Sequence, residues 1–362
     1  MGPGDDFVTL FGHDALLVER AGLPALVYNF GMYTEQAIAP HHVLGGTLLY
    51  FLYVDYLDRT LWSYRAQRRS VYQQVLALDQ PTAERLAMAL SQNSRPANTS
   101  YHYDFARDNC TTRVRDHLDR ALGGALRAQM RGTARLTYRE HALRFTANEP
   151  GYYFLFDLGL GRSVDRPLAA WDDAYLPDRL QAALRDLRIT DGAGTHPLLA
   201  REVTLFDAGR APVRERPPVR APWHALVGLA LGALLFVAGR SGKRAHRVLF
   251  GLACALLGAL VGALGLFVLL LLGTDVHPAS HQNWNAVVCP AWALSLLPAG
   301  LTFAFGRRAR FLAVASGFAA LLSLGGAVVA LLQGQDSWRV AALIVPALSG
   351  AWLGARAALR TA

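Results

Sequence analysis

The stretch RAPVRERPPVRAP, residues 210–222, divides this chain into two unlike parts. Pro212, Pro217, Pro218 and Pro222 alternate with Arg210, Arg214, Arg216 and Arg220, so the segment reads as a stiff, extended linker. The whole chain has 362 residues, 52% hydrophobic and 17% charged, with a net charge of +9. That composition excludes a disordered or fibrous chain. The charge is not spread evenly. Residues 1–222 carry 26 basic and 25 acidic groups, while residues 223–362 carry 10 basic and 2 acidic groups. The excess lies wholly in the apolar part. A nearly neutral N-terminal part does not suit a nucleic-acid partner, and none is expected.

After the linker come five apolar stretches, at 223–239, 248–273, 286–305, 311–333 and 340–359. Crossing the hydrocarbon takes about 20 apolar residues as helix, so five transmembrane helices are expected. None has a charge at its centre, which a span rarely tolerates. Gly228/Gly232, Gly258/Gly262 and Gly350/Gly354 are spaced by four, as in closely approaching helices, although a Gly- and Ala-rich composition gives the same spacing.

Orientation follows from the loops. Arg240, Lys243, Arg244 and Arg247 lie between spans one and two. Arg307, Arg308 and Arg310 lie between spans three and four, and Arg356 and Arg360 near the C-terminus. The opposite loops contribute only Arg339. Basic loops stay in the cytoplasm, so the C-terminus is expected there, with the N-terminal part and the 273–285 loop outside. The arginines of 210–220 run against this rule, but the two interhelical loops agree with each other. An exported N-terminal part needs a signal, and Met1-Gly2-Pro3-Gly4-Asp5 is not one, so the expectation is a start upstream of Met1, with a reversed orientation as the alternative. Myristoylation at Gly2 is excluded by Asp6, where Ser or Thr is required.

The N-terminal part reads as an α+β domain over 1–209. Strands are expected at 8–18, 25–30, 47–56, 137–145 and 152–158, from their β-branched, aromatic and apolar content. Thr82–Gln92 places Ala83, Leu86, Ala87 and Leu90 on one helical face, with Pro81 in the first turn. A second helix starts near Cys110, with Val114, Leu118, Ala121 and Leu122 as its apolar stripe and Gly123-Gly124 as its stop.

Cys254 and Cys289 lie inside expected spans and read as small packed residues. Cys110 is the sole cysteine of the N-terminal part, so it has no disulfide partner there. In Asp108-Asn109-Cys110-Thr111-Thr112, Asp108 or Asn109 caps a helix and Cys110 enters its first turn. Free N–H groups and the positive dipole end favour a thiolate there, and Arg107, Arg113 and Arg115 add positive potential that Asp108 and Asp116 oppose. A packed structural cysteine fits the same place, so the residues alone leave both readings open. A cysteine nucleophile needs a base and an orienting group. His13, beside Gly12 in the first expected strand, is the best placed of 11 histidines. His41 and His42 fall in a turn, His102 precedes Cys110 closely, and His117 is expected on the solvent side of the cysteine helix. Asn29 is the polar residue of the apolar run 25–30 and can orient an imidazole from a neighbouring strand. Both residues are also ordinary strand components.

These residues carry a resemblance. Gly2-Pro3-Gly4-Asp5 through Phe11-Gly12-His13-Asp14-Ala15-Leu16, then Tyr28-Asn29-Phe30-Gly31, is similar to the opening of the Lnb family. So is Tyr101-His102-Tyr103 through Asp108-Asn109-Cys110-Thr111-Thr112-Arg113 with Arg115-Asp116, and Trp171 followed by Tyr175-Leu176-Pro177 and Leu180. The resemblance extends over nearly the whole chain. It implies a circularly permuted papain-like (NlpC-like) domain, histidine before cysteine, followed by an all-α domain of five transmembrane helices in a bacterial inner membrane. It further implies a Cys110 nucleophile with a His13 base. The family name comes from a lipoprotein N-acyltransferase.

The 273–285 loop gathers Asp275, His277, His281, Asn283, Trp284 and Asn285. Pro278 keeps His277 and His281 from sharing a helical face, and no third ligand is evident, so no metal is expected. Asn109, His277, Asn283 and Asn285 are the expected substrate-binding residues; a solvated interhelical loop is the alternative for the last three. No cofactor is expected. The expected activity is acyl transfer from a membrane lipid through a Cys110 thioester to an amine, which the resemblance implies to be the N-terminus of a lipoprotein. A membrane-tethered peptidase or amidase acting on cell-wall peptides, and a non-catalytic membrane assembly protein, are the alternatives.

Overall fold

The computed structural model describes residues 1–34, 49–192, 194–274, 278–306 and 309–361. It separates into two compact units. The first is Met1–Tyr138 with Pro167–Glu215, and the second is Arg139–Arg166 with Arg216–Ala362. The segment 139–166 thus joins the apolar helices and not the rest of the N-terminal part, a division with no marker in the composition.

The first unit is mixed α/β. Its main sheet is antiparallel, with β1 (Ala15–Val18), β2 (Leu26–Met32), β3 (Leu49–Tyr56) and β5 (Ser100–His102) side by side in that order. Val27, Tyr28, Asn29 and Phe30 of β2 are all buried, so this inner strand is covered on both faces. That is why its sequence is a continuous apolar run and not an alternation. Helix α1 (Leu57–Ala66) follows β3, and β4 (Val71–Leu76) pairs with β8 (Leu199–Phe206) in a separate ribbon. β6 (Arg188–Asp191) and β7 (Gly194–Pro197) form a third.

Helix α2 (Gln80–Asn93) starts on an Asp79 cap with Pro81 in its first turn. Helix α3 (Cys110–Ala121) runs to the Gly123-Gly124 stop, followed by short α4 (Ala125–Gln129). The core joins Tyr28, Phe30 and Leu52 of the sheet to Leu86 and Leu90 of α2 and Val114 and Leu118 of α3. Leu180 and Leu184 of α8 (Pro177–Asp186) close it; α7 (Ala170–Asp173) is a single turn before α8. His117 is buried here, stacked on Phe30 at 5.3 Å and bonded to Asn93, which corrects its expected solvent-side position.

Three strand expectations need correction. Residues 8–14 are not strand: Thr9 N–H bonds to Asp6, Gly12 N–H to Thr9, and Gly12 has φ +81°. These local turn bonds delay β1 to Ala15. Residues 137–145 and 152–158 are helices, α5 (Tyr138–Phe145) and α6 (Pro150–Gly159). Their aromatic content suggested strands, but Pro150 opens α6 and Tyr153, Asp157 and Leu158 bury one helical stripe. Tertiary burial outweighs β-propensity.

The second unit holds five helices long and apolar enough to cross a membrane: Ala221–Arg240 (α9), Arg244–Leu272 (α10), Asn285–Gly306, Ala309–Leu332 (α13) and Trp338–Arg360 (in α14, Trp338–Thr361). The third is broken into α11 (Asn285–Val288), a 3₁₀ turn Ala291–Ser295 and α12 (Leu296–Gly306). Pro290 stands at the break, where it has no N–H to donate. Glycines let α9 and α14 touch backbone to backbone: a β-carbon on Gly350 would collide with the Gly232 carbonyl.

Candidate active site

The site assembles around α3. Asn109 is the helix cap: its Oδ1 accepts from Thr112 N–H at 2.9 Å, and Thr112 Oγ1 accepts from Asn109 N–H at 2.8 Å. This reciprocal box fixes the helix start and sets Cys110 as its first residue. The Asn109 amide donates to the Phe105 carbonyl at 2.7 Å and the Tyr175 carbonyl at 3.0 Å. A buried side chain with both amide hydrogens given to backbone carbonyls is an architectural part, so the structure does not present Asn109 to a substrate.

Strand β2 brings the other groups. Ala15 of β1 pairs with Asn29 of β2, which places Asn29 beside the chain just before β1. There His13 Nε2 lies 3.4 Å from Asn29 Oδ1. Beyond Asn29 the register slips, and Gly31 takes φ +78°. A β-carbon on Gly31 would stand 3.3 Å from Cys110 Cβ and 3.7 Å from Cys110 N. A glycine is thus needed twice over, for the left-handed backbone and for the close approach of β2 to the cysteine.

Cys110 is partly buried. Its sulfur accepts from the Asp14 backbone N–H, adjacent in sequence to His13, and lies 3.9 Å from Thr111 Oγ1. Burial and the Asp14 carboxylate push the thiol pKa up from its ordinary value. This corrects the thiolate expected from the helix start: desolvation and a like charge outweigh the dipole end. Two of the three arginines expected to supply positive potential, Arg113 and Arg115, are otherwise engaged. Arg113 makes a two-pronged pair with Asp108 at 2.5 and 2.6 Å and lies over the Tyr101 ring, and Arg115 pairs with Asp116 and stacks on Trp171.

His13 is 9% exposed. Burial, then the positive charge of Arg69, holds its pKa down to about 3, so the ring is neutral near pH 7. The same burial thus favours the neutral form of both the Cys110 thiol and the His13 ring. Among the described residues no hydrogen bond joins the Cys110 sulfur directly to the His13 ring.

Sequence reading missed Arg69, Tyr64 and Asp14. Arg69 follows Arg68 in the turn after α1, where a basic pair looks like a solvated surface. Instead Arg69 is buried, with its guanidinium 4.7 Å from the Tyr64 ring centre, and Tyr64 lies beside the His13 ring at 6.4 Å. No local pattern distinguishes it.

The loop residues Asn283 and Asn285 are buried in the second unit. Asn283 donates to the Leu158 and Gly159 carbonyls, and Asn285 to those of Asp157 and Leu158. They cap the free carbonyls at the end of α6, which a helix end requires. Lipid or acceptor contact through these amides is therefore corrected to a structural role. His277, Asp275, His41 and His42 lie outside the described residues. Among the described residues no three His, Cys, Asp or Glu side chains converge as a metal site needs.

Residues 1–144 match the family model of the Lnb N-terminal periplasmic domain. No curated protein and no solved structure matches the chain. With five helices fit to span a bilayer, the chain is a multi-pass membrane protein whose N-terminal residues 1–144 are similar to the Lnb N-terminal periplasmic domain.

Proposed function

We propose that this protein is a membrane-bound, cysteine-dependent acyltransferase. The observation that carries the reading is the Cys110 sulfur at a capped helix start, receiving the Asp14 N–H next to a neutral His13 that is bonded to Asn29. The Cys110 sulfur attacks the carbonyl carbon of a lipid ester while His13 takes the thiol proton. The tetrahedral intermediate collapses, the ester C–O bond breaks, and the departing alkoxide takes that proton from His13. The acyl group then rests on Cys110 as a thioester. In the second half an amine attacks the thioester carbonyl, His13 takes the amine proton, and the Cys110 thiolate leaves and is reprotonated. Asn29 holds the imidazole through the second ring nitrogen. Backbone N–H groups at the α3 start are the donors available to the oxyanion.

The Lnb match of residues 1–144 and the five spans support lipid substrates, with a lipoprotein N-terminus as the acceptor. They also support the permuted papain-like order, histidine before cysteine. The basic loops favour an inner membrane with the N-terminal domain in the periplasm and the C-terminus in the cytoplasm.

The test is intact-mass measurement of the purified full chain after incubation with a diacyl lipid. An acyl adduct is expected on the wild type and absent from Cys110→Ala. In cells that depend on this protein, Cys110→Ala should lose N-acylated lipoproteins. Unchanged N-acylation in that variant rejects the proposal. Lost muropeptide cleavage in place of lost acylation selects the hydrolase, and activity indifferent to both residues selects a non-catalytic role.

A further inference from the structure

Arg69 is 5% exposed, yet it is not neutralised by the fold. Its Nε donates to the Gly2 carbonyl at 3.0 Å and its Nη1 to Gln67 Oε1 at 3.2 Å. Its Nη2 is fully buried with no hydrogen-bond partner. No carboxylate lies in ion-pair range of it among the described residues. Three other buried arginines, Arg115, Arg139 and Arg339, each meet at least one. A buried cation with a spare donor is costly, and native structures rarely keep one without a use.

Its position states the use. The Arg69 charge acts on both Cys110 and His13. A second spare donor lies by the same cysteine: the buried Tyr101 hydroxyl accepts from the Gly31 backbone N–H but its own hydrogen has no acceptor among the described residues, and it stands 3.6 Å from where a Gly31 β-carbon would be, beside Cys110. Two unspent donors, one of them cationic, require a ligand group rich in acceptor oxygens and negative in charge. A guanidinium fork suits a phosphate in particular.

We propose that Arg69 binds the phosphodiester of the acyl donor, which makes that donor a glycerophospholipid and not a neutral glyceride. The proposal rests on the acyltransferase reading of Cys110. In a glycerophospholipid the phosphate and the ester carbonyls share one three-carbon backbone. A phosphate held at Arg69 therefore delivers an ester carbonyl into the same small site as the thiol. The bound phosphate also completes the Arg69 donor set and supplies the missing counter-charge.

The experiment uses the full chain in detergent with two short-chain donors, dihexanoylphosphatidylglycerol and dihexanoylglycerol, which differ by the phosphate. The initial rate of acyl adduct formation on Cys110 is read by intact mass. In the wild type the phospholipid should be the better donor by roughly 10- to 100-fold, the worth of a charge-assisted hydrogen bond. In Arg69→Gln that ratio should fall to near one, and Arg69→Lys should keep part of it. A ratio unchanged in Arg69→Gln, or an equal fall with both donors, overturns the proposal, the second because Arg69 would then serve the reacting atoms or the fold.

A binding arm separates this from the function itself. In Cys110→Ala, which transfers nothing, dihexanoylphosphatidylglycerol should raise the thermal midpoint, and adding Arg69→Gln should abolish the rise. If the wild type forms no adduct with either donor but this shift is present, the acyltransferase reading fails and the phosphate site stands. A shift given by inorganic phosphate but not by the phospholipid rejects the lipid in favour of a free anion.

Discussion

Two buried charged clusters, one in each unit, are built on opposite plans. In the second unit Asp157, wholly buried, accepts from Arg139 at 3.3 Å and from Arg339 at 2.8 Å through both its oxygens. Arg139 also reaches Asp165 and the carbonyls of Asp157, Leu160 and Gly161, and Arg339 reaches Asp336. Every cation there has a carboxylate. Around Cys110 the plan is reversed: among the described residues Arg69 has no carboxylate, Asp14 Oδ2 and Arg69 Nη2 are buried without partners, and the Tyr101 hydroxyl hydrogen has no acceptor. The first cluster is a clamp that fastens 139–166 to the apolar helices. The second is incomplete, and incompleteness at the proposed nucleophile is what a site awaiting substrate requires.

Removing the centre of the clamp should have the largest effect. Asp157→Ala takes the shared carboxylate from two buried guanidinium groups, leaving Arg139 with Asp165 and Arg339 with Asp336, and should cost about 3–5 kcal/mol. The expected outcome is loss of monodisperse protein in detergent, or a sharply lower thermal midpoint. A midpoint close to wild type would show that the cluster is not structural.

In the incomplete cluster the loss should fall on rate and not on stability. His13→Ala should slow acyl adduct formation by roughly 10²- to 10⁴-fold, with the thermal midpoint near pH 7 little changed. A fall in midpoint as large as that of Asp157→Ala would remove the distinction between the clusters.

Acid should expose the same difference. The pKa of His13 is held below its unfolded value by burial, down to about 3. Its neutral, buried form therefore contributes stability that is complete above pH 6.5 and is lost as pH falls from there toward 3. The slope contributed is at most about 1.4 kcal/mol per pH unit. Thermal midpoints taken between pH 7 and 4 should fall more steeply in the wild type than in His13→Gln. Equal slopes would place His13 in contact with solvent.

Smaller effects test the scaffold of the site. Gly31→Ala puts a side chain at φ +78° and against Cys110 Cβ, with an expected cost of about 1–3 kcal/mol and a slower acylation step. Asn109→Ala removes the capping box, at about 0.5–2 kcal/mol. Both are read as thermal midpoints beside adduct rates.

Much of the site was legible because it is local. A cap at Asp108 or Asn109, the helix start at Cys110 and the glycine stop follow from neighbouring residues, and the structure selects Asn109. The pairing of His13 with Asn29 was suggested by position, and the β1–β2 register produces it. Arg69 was not legible, since a basic pair in a turn has no signature of burial. Residues 137–158 were misread because aromatic segments suit strand and helix alike until their packing partner is known.

The sequence by itself determined the five apolar spans and the capped cysteine. A bilayer imposes a length and polarity that each segment must meet alone, and a helix cap is satisfied within four residues. Only the tertiary structure decided that 139–166 belongs with the apolar helices, that Arg339, the one basic residue of the opposite loops, is a buried partner of Asp157, and that the charge beside the thiol comes from Arg69. Those outcomes depend on which distant group fills or leaves open each buried hydrogen bond.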